Sequence, residues 1–236
     1  MILTAKEIAK MIDLSCVRTI SNKKDIEELV SAARKYEIGQ VSILQSFIPY
    51  TRQLLQGTPD IHLVGNVSFP AGSDSTSIKI AQAKELVAQG CDEIDMVMNI
   101  GKLRSGEWVE VEADVQAVIE TARPLPVKVI IEIMCLTVDE TRQACGICLR
   151  TGAAFVKTGT GWADRSTTPE DVRLVKSFVG DRIKIKASGG IRSLDNLVEM
   201  YRVGARRFGV NLKSGIQIME ECFLKGGSVE LVPGHA

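Results

Sequence analysis

The stretch AFVKTGTGWADRSTTPEDVRLVKSFVGDRIKIKAS, residues 154–188, contains two short apolar segments on either side of a longer segment with helical spacing. Thr168 and Pro169 stand where helices usually begin, and Gly180 stands where they usually end. Each short segment carries a lysine that is followed closely by small residues. A strand, a helix and a second strand in this order predict two parallel strands joined by a right-handed crossover.

The same alternation runs through the whole chain. Further helix starts are predicted at Ser21, Ser75 and Thr137, the last with a capping box. Eight strands are predicted, IDLSCV (12–17), QVSIL (40–44), IHLVGNV (61–67), EIDMVM (93–98), VKVIIEI (127–133), AFVKTG (154–159), RIKIKAS (182–188) and RRFGV (206–210). Eight such units predict one α/β domain over residues 1–236, a (β/α)8 TIM barrel with an extra N-terminal helix at 4–11. A doubly wound sheet is disfavoured, because no glycine-rich turn follows the first strand.

The charge of the chain is balanced, with 29 lysine and arginine residues against 29 aspartate and glutamate residues among 236. Without excess positive charge, the chain lacks the electrostatic attraction that holds proteins on nucleic acid or on anionic membranes. The N-terminal segment is amphipathic, unlike a signal peptide, and no apolar window reaches the roughly 20 residues of a membrane helix. We therefore expect a cytoplasmic protein whose partners include neither nucleic acid nor a membrane.

Cys145 and Cys148 form a CxxC motif, which in other proteins is redox-active or supplies half of a zinc site. Here the motif lies within a predicted helix that runs from Thr137 towards Gly152, and the sequence has no second CxxC and only two histidines. Free cysteines are most often buried as small apolar residues. We expect the pair to be structural, and we expect no metal site.

Active sites of this barrel lie at the C-terminal ends of the strands. Lys157 and Lys186 end the sixth and seventh predicted strands, so both can enter one mouth with Asp95 and Glu132 from the fourth and fifth. A second ammonium about 5 Å away lowers a lysine pKa by roughly 2.4 at an effective dielectric of about 20, and burial adds to this. One lysine is then a candidate nucleophile, the other its activator, and Asp95 a proton shuttle. Ion pairs at the barrel rim are the alternative interpretation.

Small-residue turns follow the last three predicted strands. They read TGTGW after the sixth strand, SGGIR after the seventh and FGVN after the eighth. This quarter of a TIM barrel commonly binds phosphate through backbone N–H groups, and Arg192 can add a charged contact. The turns therefore predict a ligand that carries a phosphate.

Four motifs occur in an order and at separations found together in a known family, namely DEIDMVMNIG (92–101), VKVIIE (127–132), FVKTGTG (155–161) and VKSFVGDRIKIKASGGIR (175–192). With them the chain resembles the deoxyribose-phosphate aldolases from about Asp13 to Gly209. The resemblance implies a TIM-barrel class I aldolase that cleaves 2-deoxy-D-ribose 5-phosphate into acetaldehyde and D-glyceraldehyde 3-phosphate, without metal or organic cofactor. It also implies a homo-oligomer, dimer or tetramer, with a role in deoxyribonucleotide catabolism and carbohydrate degradation.

The resemblance also implies roles for individual residues. Lys157 would form the Schiff base with acetaldehyde, Lys186 would perturb the pKa of Lys157, and Asp95 would belong to the proton relay. Contacts to substrate or phosphate are implied for Asp13, Thr158, Gly161, Gly189, Gly190, Arg192, Gly209 and Asn211.

The chain departs from the family pattern at three places. Leu14 replaces a histidine and Ser15 a threonine in the first strand, the turn GVNLKSG (209–215) replaces a GTSSG-like turn, and the tail ELVPGHA (230–236) lacks a terminal tyrosine. These departures leave open a related class I aldolase for another sugar phosphate or a non-phosphorylated aldehyde, and a non-catalytic phosphate-binding barrel is a third possibility. Lys184 has the same strand parity as Lys186, which predicts an interior position one layer down unless Lys184 lies at the bottom rim or the strand begins with a bulge.

Overall fold

The computed structural model describes residues 2–231, and its centre is a closed barrel of eight parallel strands. In chain order the strands are β1 (Ile2–Thr4), the barrel strands β2 (Ile12–Cys16), β3 (Gln40–Ile43), β4 (His62–Val67), β5 (Glu93–Val97), β6 (Val127–Ile130), β7 (Phe155–Lys157), β8 (Lys184–Ser188) and β9 (Ala205–Asn211), and β10 (Ser228–Glu230). The eight predicted strands and the TIM-barrel fold are confirmed. Residues 232–236 of the tail lie outside the described residues.

Helices alternate with the barrel strands and cover the barrel. They are α1 (Ala5–Met11), α2 (Lys23–Lys35), α3 (Ile48–Leu54), α4 (Thr76–Ala88), α5 (Ile100–Arg104), α6 (Trp108–Ala122), α7 (Val138–Arg150), α8 (Pro169–Val179), α9 (Leu194–Arg202) and α10 (Leu212–Leu224). Thr137 caps α7 with a capping box, as predicted, and Thr168 is the cap at the predicted start of α8, where it also forms a capping box. The prediction of Ser21 as the cap of α2 is wrong by one residue, because the side chain of Asn22 accepts the free N–H groups of that helix.

The extra N-terminal helix is confirmed as α1, with Thr4 as its cap. It lies against the bottom of the barrel, where Gly39, just before β3, donates to the carbonyl of Ala9 at 3.0 Å. The antiparallel pairing of β1, which precedes the barrel, with β10, which follows it, was not predicted from the sequence. Each of these strands has three residues, too few to show an alternating pattern.

The strand register decides which charged side chains meet inside the barrel. Asp95 of β5 lies beside Lys128 of β6, and Lys157 of β7 lies beside Lys186 of β8. Between β8 and β9 the register shifts, so that Ile185 pairs with Ala205 but the next residue, Lys186, pairs with Arg207. This irregularity places Arg207 within the barrel, where its side chain is largely buried beneath the lysine pair.

Lys184 lies at the bottom rim, which is one of the alternatives left open for it, and the register of its strand shifts just after it, between Ile185 and Lys186. Its side chain is exposed, and its ammonium lies 5.7 Å from the centre of the Phe155 ring. The guanidinium of Arg207 lies 5.0 Å from the same ring. Lys184 is therefore part of the floor of the barrel and does not belong to the group of lysines at the mouth.

The CxxC cysteines are buried in α7, as predicted. Burial raises the pKa of the Cys145 thiol to about 12, so this thiol stays protonated and unreactive near neutral pH. Within residues 2–231, no helix combines the length and the apolar character needed to cross a membrane.

A buried ion pair joins the helices outside β5. The ammonium of Lys79 on α4 lies 2.6 Å from Asp114 of α6 and donates to the carbonyl of Val97, the last residue of β5, at 3.1 Å. Thr76 donates to the other oxygen of Asp114 at 2.8 Å. Because neither charge reaches water, removal of one partner leaves the other buried and unpaired.

We expect Lys79→Met to lower the free energy of unfolding by about 3–5 kcal/mol, because it leaves the carboxylate of Asp114 buried without its cation. Urea denaturation followed by circular dichroism measures the change. The control is Lys24→Met, which breaks the solvent-exposed pair with Glu28 and should leave the midpoint unchanged. Equal midpoints for the two variants would show that the buried pair does not stabilise the barrel.

Candidate active site

Lys157 and Lys186 lie side by side at the ends of their strands, and both contact Asp95. The ammonium nitrogens of Lys157 and Lys186 lie 2.6 Å and 2.7 Å from Asp95 Oδ2. Lys186 also donates to Asp13 of β2, and Asp95 Oδ1 accepts from Lys128 at 2.9 Å. All five residues are buried. The structure thus brings together the three residues predicted to be catalytic and adds Asp13 and Lys128 to them.

The amine of Lys157 has the properties of a nucleophile. Lys157 is only 5% exposed. Burial has the largest effect on its pKa, and together with the ammonium of Lys186 it lowers the pKa of Lys157 to about 8. The carboxylates of Asp95 and Asp13 act in the opposite direction. At pH 7 roughly one molecule in ten then has a neutral Lys157, against about one in 2,500 for an ordinary lysine. Lys186 acts in the expected direction, but burial is the stronger cause.

Lys186 and Asp95 remain charged around this amine. Burial disfavours the ammonium of Lys186, yet the carboxylates of Asp13 and Asp95 outweigh it and raise the pKa of Lys186. Burial also opposes the charge of Asp95, but three ammonium groups, Lys128 first among them, hold the pKa of Asp95 well below its ordinary range. Asp95 is therefore an anion at every pH at which Lys157 changes its protonation state.

Glu132 does not join the lysines, contrary to the expectation of two carboxylates in one mouth. Its backbone is left-handed, with φ of 45°, and its carboxylate accepts from the backbone N–H of Thr160 at 3.0 Å and from the Thr160 hydroxyl at 2.6 Å. The second carboxylate beside the lysines is instead that of Asp13, which pairs with Lys186. The role of Glu132 is to hold the TGTG turn after β7.

Two connected cavities open at this end of the barrel. The inner cavity is lined among others by Asp13, Ser42, Asn66, Phe69, Lys157 and Lys186. The outer cavity, which is the larger of the two, is lined among others by Gly161, Gly189, Gly190, Arg192, Gly209 and Asn211. Both are lined by Ser15, Val17, Thr160, Ser188 and Gly209. An elongated ligand can therefore extend from the amine of Lys157 to the glycine turns.

The glycine turns bring the backbone close to the cavities. Gly189 has φ of 100°, which side chains rarely tolerate, and a Cβ added there would lie 3.5 Å from the Cα of Gly161. A Cβ on Gly209 would lie 2.5 Å from the hydroxyl of Ser188 and 3.5 Å from Cε of Lys186. Glycine is therefore favoured by the backbone at position 189 and by the nearby Ser188 side chain at position 209, and both glycines line the outer cavity.

Thr158 differs from the other predicted contact residues because it lines neither cavity. It is fully buried, its hydroxyl lies 2.9 Å from that of Thr167, and it accepts from the backbone N–H of Ser188 at 3.0 Å. Its hydroxyl therefore ties the end of β7 to the end of β8. Thr158 supports the site and does not face a ligand.

Two departures from the family pattern can now be located. Leu14 is buried, and it faces away from the cavities to pack against Gly215 of α10. Asn211, in the altered turn, accepts from the backbone N–H of Ser214 at 2.9 Å and so caps α10. Asn211 therefore changes the wall of the outer cavity, whereas Leu14 does not. Ser15, the residue after Leu14, lines both cavities.

Three residues of the site were not predicted from the sequence. Lys128 had a visible signal, because it is a lysine within an otherwise apolar strand of the same parity as Glu132. Arg18 and Trp162 line the outer cavity, with the guanidinium 4.9 Å from the indole ring centre and 3.1 Å from the carbonyl of Gly161. Both come from loops, and their contact is a tertiary one without any sequence signal.

Known aldolases are similar to this chain over nearly its whole length. A family model described as DeoC/LacD family aldolase matches residues 8–216. The deoxyribose-phosphate aldolase of Rhizobium meliloti (strain 1021) is 39% identical over 230 residues, which are 97% of this chain and 93% of that protein. The deoxyribose-phosphate aldolase of Carboxydothermus hydrogenoformans is 38% identical over 221 residues, 92% of this chain and 96% of that protein.

Solved structures have the same fold. The aldolase QR15 superposes with a TM-score of 0.86 at 35% identity, covering 92% of this chain and 96% of that one. The deoxyribose phosphate aldolase of Aeropyrum pernix superposes with a TM-score of 0.85 at 24% identity, covering 94% and 92%. The family model covers most of the chain and the relatives match it almost end to end, so the chain belongs to the DeoC/LacD family of aldolases and is a lyase.

Proposed function

We propose that this chain is a class I aldolase that cleaves 2-deoxy-D-ribose 5-phosphate into acetaldehyde and D-glyceraldehyde 3-phosphate. The observation that carries the proposal is the amine of Lys157, which lines the inner cavity 2.6 Å from Asp95 with its pKa lowered to about 8. Such an amine can attack a carbonyl near neutral pH. The choice of substrate is supported by the names of the relatives that match the chain at 38–39% identity.

The reaction begins when the neutral amine of Lys157 attacks C1 of the open-chain sugar. The carbinolamine loses water to give an iminium ion. When the C3 hydroxyl loses its proton, the C2–C3 bond breaks and its electrons move towards the iminium nitrogen. Glyceraldehyde 3-phosphate leaves, and an enamine remains on Lys157. Protonation of C2 and addition of water to C1 then release acetaldehyde and the free amine.

Asp95 and Lys186 control protons around these steps. Asp95 Oδ2 contacts the amine of Lys157, so it can accept a proton from that nitrogen as the carbinolamine forms and return it to the hydroxyl that leaves as water. Lys186 stays an ammonium, which disfavours a second positive charge on Lys157 before the attack. Asp13 Oδ1 has no hydrogen-bond partner among residues 2–231 and can accept a substrate hydroxyl.

The outer cavity receives the phosphate in this proposal. Its glycine turns present backbone at Gly161, Gly189 and Gly190, and the side chains of Arg192 and Arg18 supply positive charge. A substrate with its aldehyde at Lys157 would then place its phosphate among these groups, because the two cavities are connected.

A related sugar phosphate is the second candidate substrate, because Asn211 and its altered turn change the wall of the outer cavity. A homo-oligomer in the cytoplasm stays our expectation for the state and location of the enzyme.

Borohydride reduction in the presence of acetaldehyde should attach a two-carbon adduct to Lys157, since the mechanism requires an imine at that nitrogen. Peptide mass mapping identifies the modified lysine, and Lys157→Met is the control that should take up no adduct. A panel of sugar phosphates in the same assay distinguishes the two candidate substrates. An adduct on Lys186 would reverse the two roles, and no adduct with any aldehyde would favour a non-catalytic barrel.

Asp95→Asn should lose about 100-fold or more of kcat while the fold is retained, because the amide keeps the shape but cannot take up the proton. Steady-state cleavage of 2-deoxy-D-ribose 5-phosphate measures the loss. Asp139→Asn on the exposed surface of α7 is the control for an equal change of charge. Activity near that of the unmodified enzyme would remove Asp95 from the mechanism.

The rate of imine formation should rise with pH through about 8 and then level off, because only the neutral amine reacts. Lys186→Leu should move this rise in rate to higher pH, because the pKa of Lys157 rises when the neighbouring ammonium is gone. Lys186→Arg keeps a positive charge, so the rise should stay near the same pH while some rate is lost. Stopped-flow measurement with acetaldehyde tests both. If both variants lose activity while the limb stays in place, Lys186 acts by proton transfer or positioning.

A further inference from the structure

Charged groups inside the barrel form a continuous chain from its floor to the active site. Glu93, at the start of β5, lies 2.6 Å from the ammonium of Lys128 and 3.1 Å from the guanidinium of Arg207. Lys128 in turn contacts Asp95, and Asp95 contacts both lysines of the mouth. We call these residues the barrel network; its members are Asp13, Glu93, Asp95, Lys128, Lys157, Lys186 and Arg207. The interior of a TIM barrel is ordinarily filled by apolar side chains, so the network requires an explanation.

The network is balanced only when Lys157 is neutral. Its anions are Asp13, Glu93 and Asp95, and its cations other than Lys157 are Lys128, Lys186 and Arg207. A proton on Lys157 adds a fourth cation to a buried region, where an uncompensated charge is costly. The balance therefore favours the neutral amine that the reaction needs.

The floor of the barrel is electrically coupled to its mouth. Burial raises the pKa of Glu93, but Lys128, Arg207 and also Lys186 outweigh burial and lower it. Lys186 is a residue of the mouth, so charges at the two ends of the network influence each other through the low-dielectric interior. The link is Lys128, which is fully buried and contacts both Glu93 and Asp95.

Three other ionisable groups lie close to the network without belonging to it, and one of them, Lys184, is exposed to water at the floor of the barrel. His62 Nδ1 lies 3.5 Å from Glu93 Oε1 but is half exposed, so water screens its charge. The carboxylate of Glu132 accepts from Thr160 and forms no ion pair with a member of the network. None of these groups takes the place of a charge that is removed from the network.

We propose that the buried pair of Glu93 and Lys128 sets the protonation state of Lys157 through the charge balance of the barrel network. Both are then positioning residues of the aldolase, since neither lines the cavity at Lys157. Lys128 also occupies Asp95 Oδ1 and so leaves Oδ2 to the two lysines of the mouth. The inference rests on the proposed function of Lys157 as the nucleophile.

Three variants that remove charges from the barrel network test this account, and the two single variants should shift the pKa of Lys157 in opposite directions. Lys128→Met removes a cation and should raise the pKa of Lys157 from about 8 by about one pH unit or more. Glu93→Gln removes an anion and should lower it. The double variant Glu93→Gln with Lys128→Met removes one charge of each sign and should return the pKa of Lys157 to near 8.

The pKa is measured without any aldolase chemistry. Pulses of acetic anhydride at a series of pH values acetylate neutral amines, and peptide mass spectrometry compares Lys157 with exposed Lys24 in the same sample. Lys79→Met is the matched control, because it also removes a buried lysine but lies outside the network and should leave the Lys157 titration unchanged. Borohydride trapping with acetaldehyde at pH 7 should fall about tenfold for each pH unit by which the pKa rises.

The outcomes separate this inference from the proposed function. An unchanged Lys157 pKa in Lys128→Met, or a shift of the same sign in both single variants, would overturn the charge-balance account. If Lys128→Met does not fold, Glu93→Gln and the double variant still carry the test, because their expected titrations differ. Failure of the unmodified enzyme to form an imine would overturn the proposed function and would leave the titration result untouched.

Discussion

The site depends on one carboxylate that is shared by three buried ammonium groups. Asp95 offers one oxygen to Lys128 and the other to Lys157 and Lys186, and none of these side chains has substantial access to water. Because water has little access to these side chains, each charge is stabilised mainly by the opposite charges beside it. Among the three ammonium groups, that of Lys157 is the least stabilised, because its contacts do not fully offset the effect of burial. The proton of Lys157 is therefore the one that is lost most easily.

The barrel supplies this arrangement through strand register. Side chains that lie beside each other on neighbouring parallel strands point the same way, and this places Asp95 beside Lys128 and Lys157 beside Lys186. The irregularity between β8 and β9 adds Arg207 to the floor, where it pairs with Glu93. A shift of one residue in any of these strands would turn a charged side chain towards the outer helices, where it would have no partner.

Much of this could be predicted from sequence, because parity and strand ends are local properties. The positions of Lys157, Lys186 and Asp95 followed from short apolar strands that end at the same side of a parallel barrel. The role of Glu132 could not be predicted in this way, because its strand ends early and its backbone turns left-handed, which redirects the carboxylate to Thr160. Arg18 is the extreme case, since its place over Trp162 depends on two loops that meet only in the folded chain.

The two cavities are built by different parts of the fold. The charged part of the inner cavity is carried by strands whose register the whole barrel fixes, so its chemistry is hard to alter without damage to the core. The outer cavity is built by turns and by the start of α10, where Asn211 replaces part of the family pattern without disturbing β9. Leu14, another departure, packs outside both cavities. Changes in the wall of the outer cavity can therefore collect in the turns while Lys157 and its charged surroundings stay as they are.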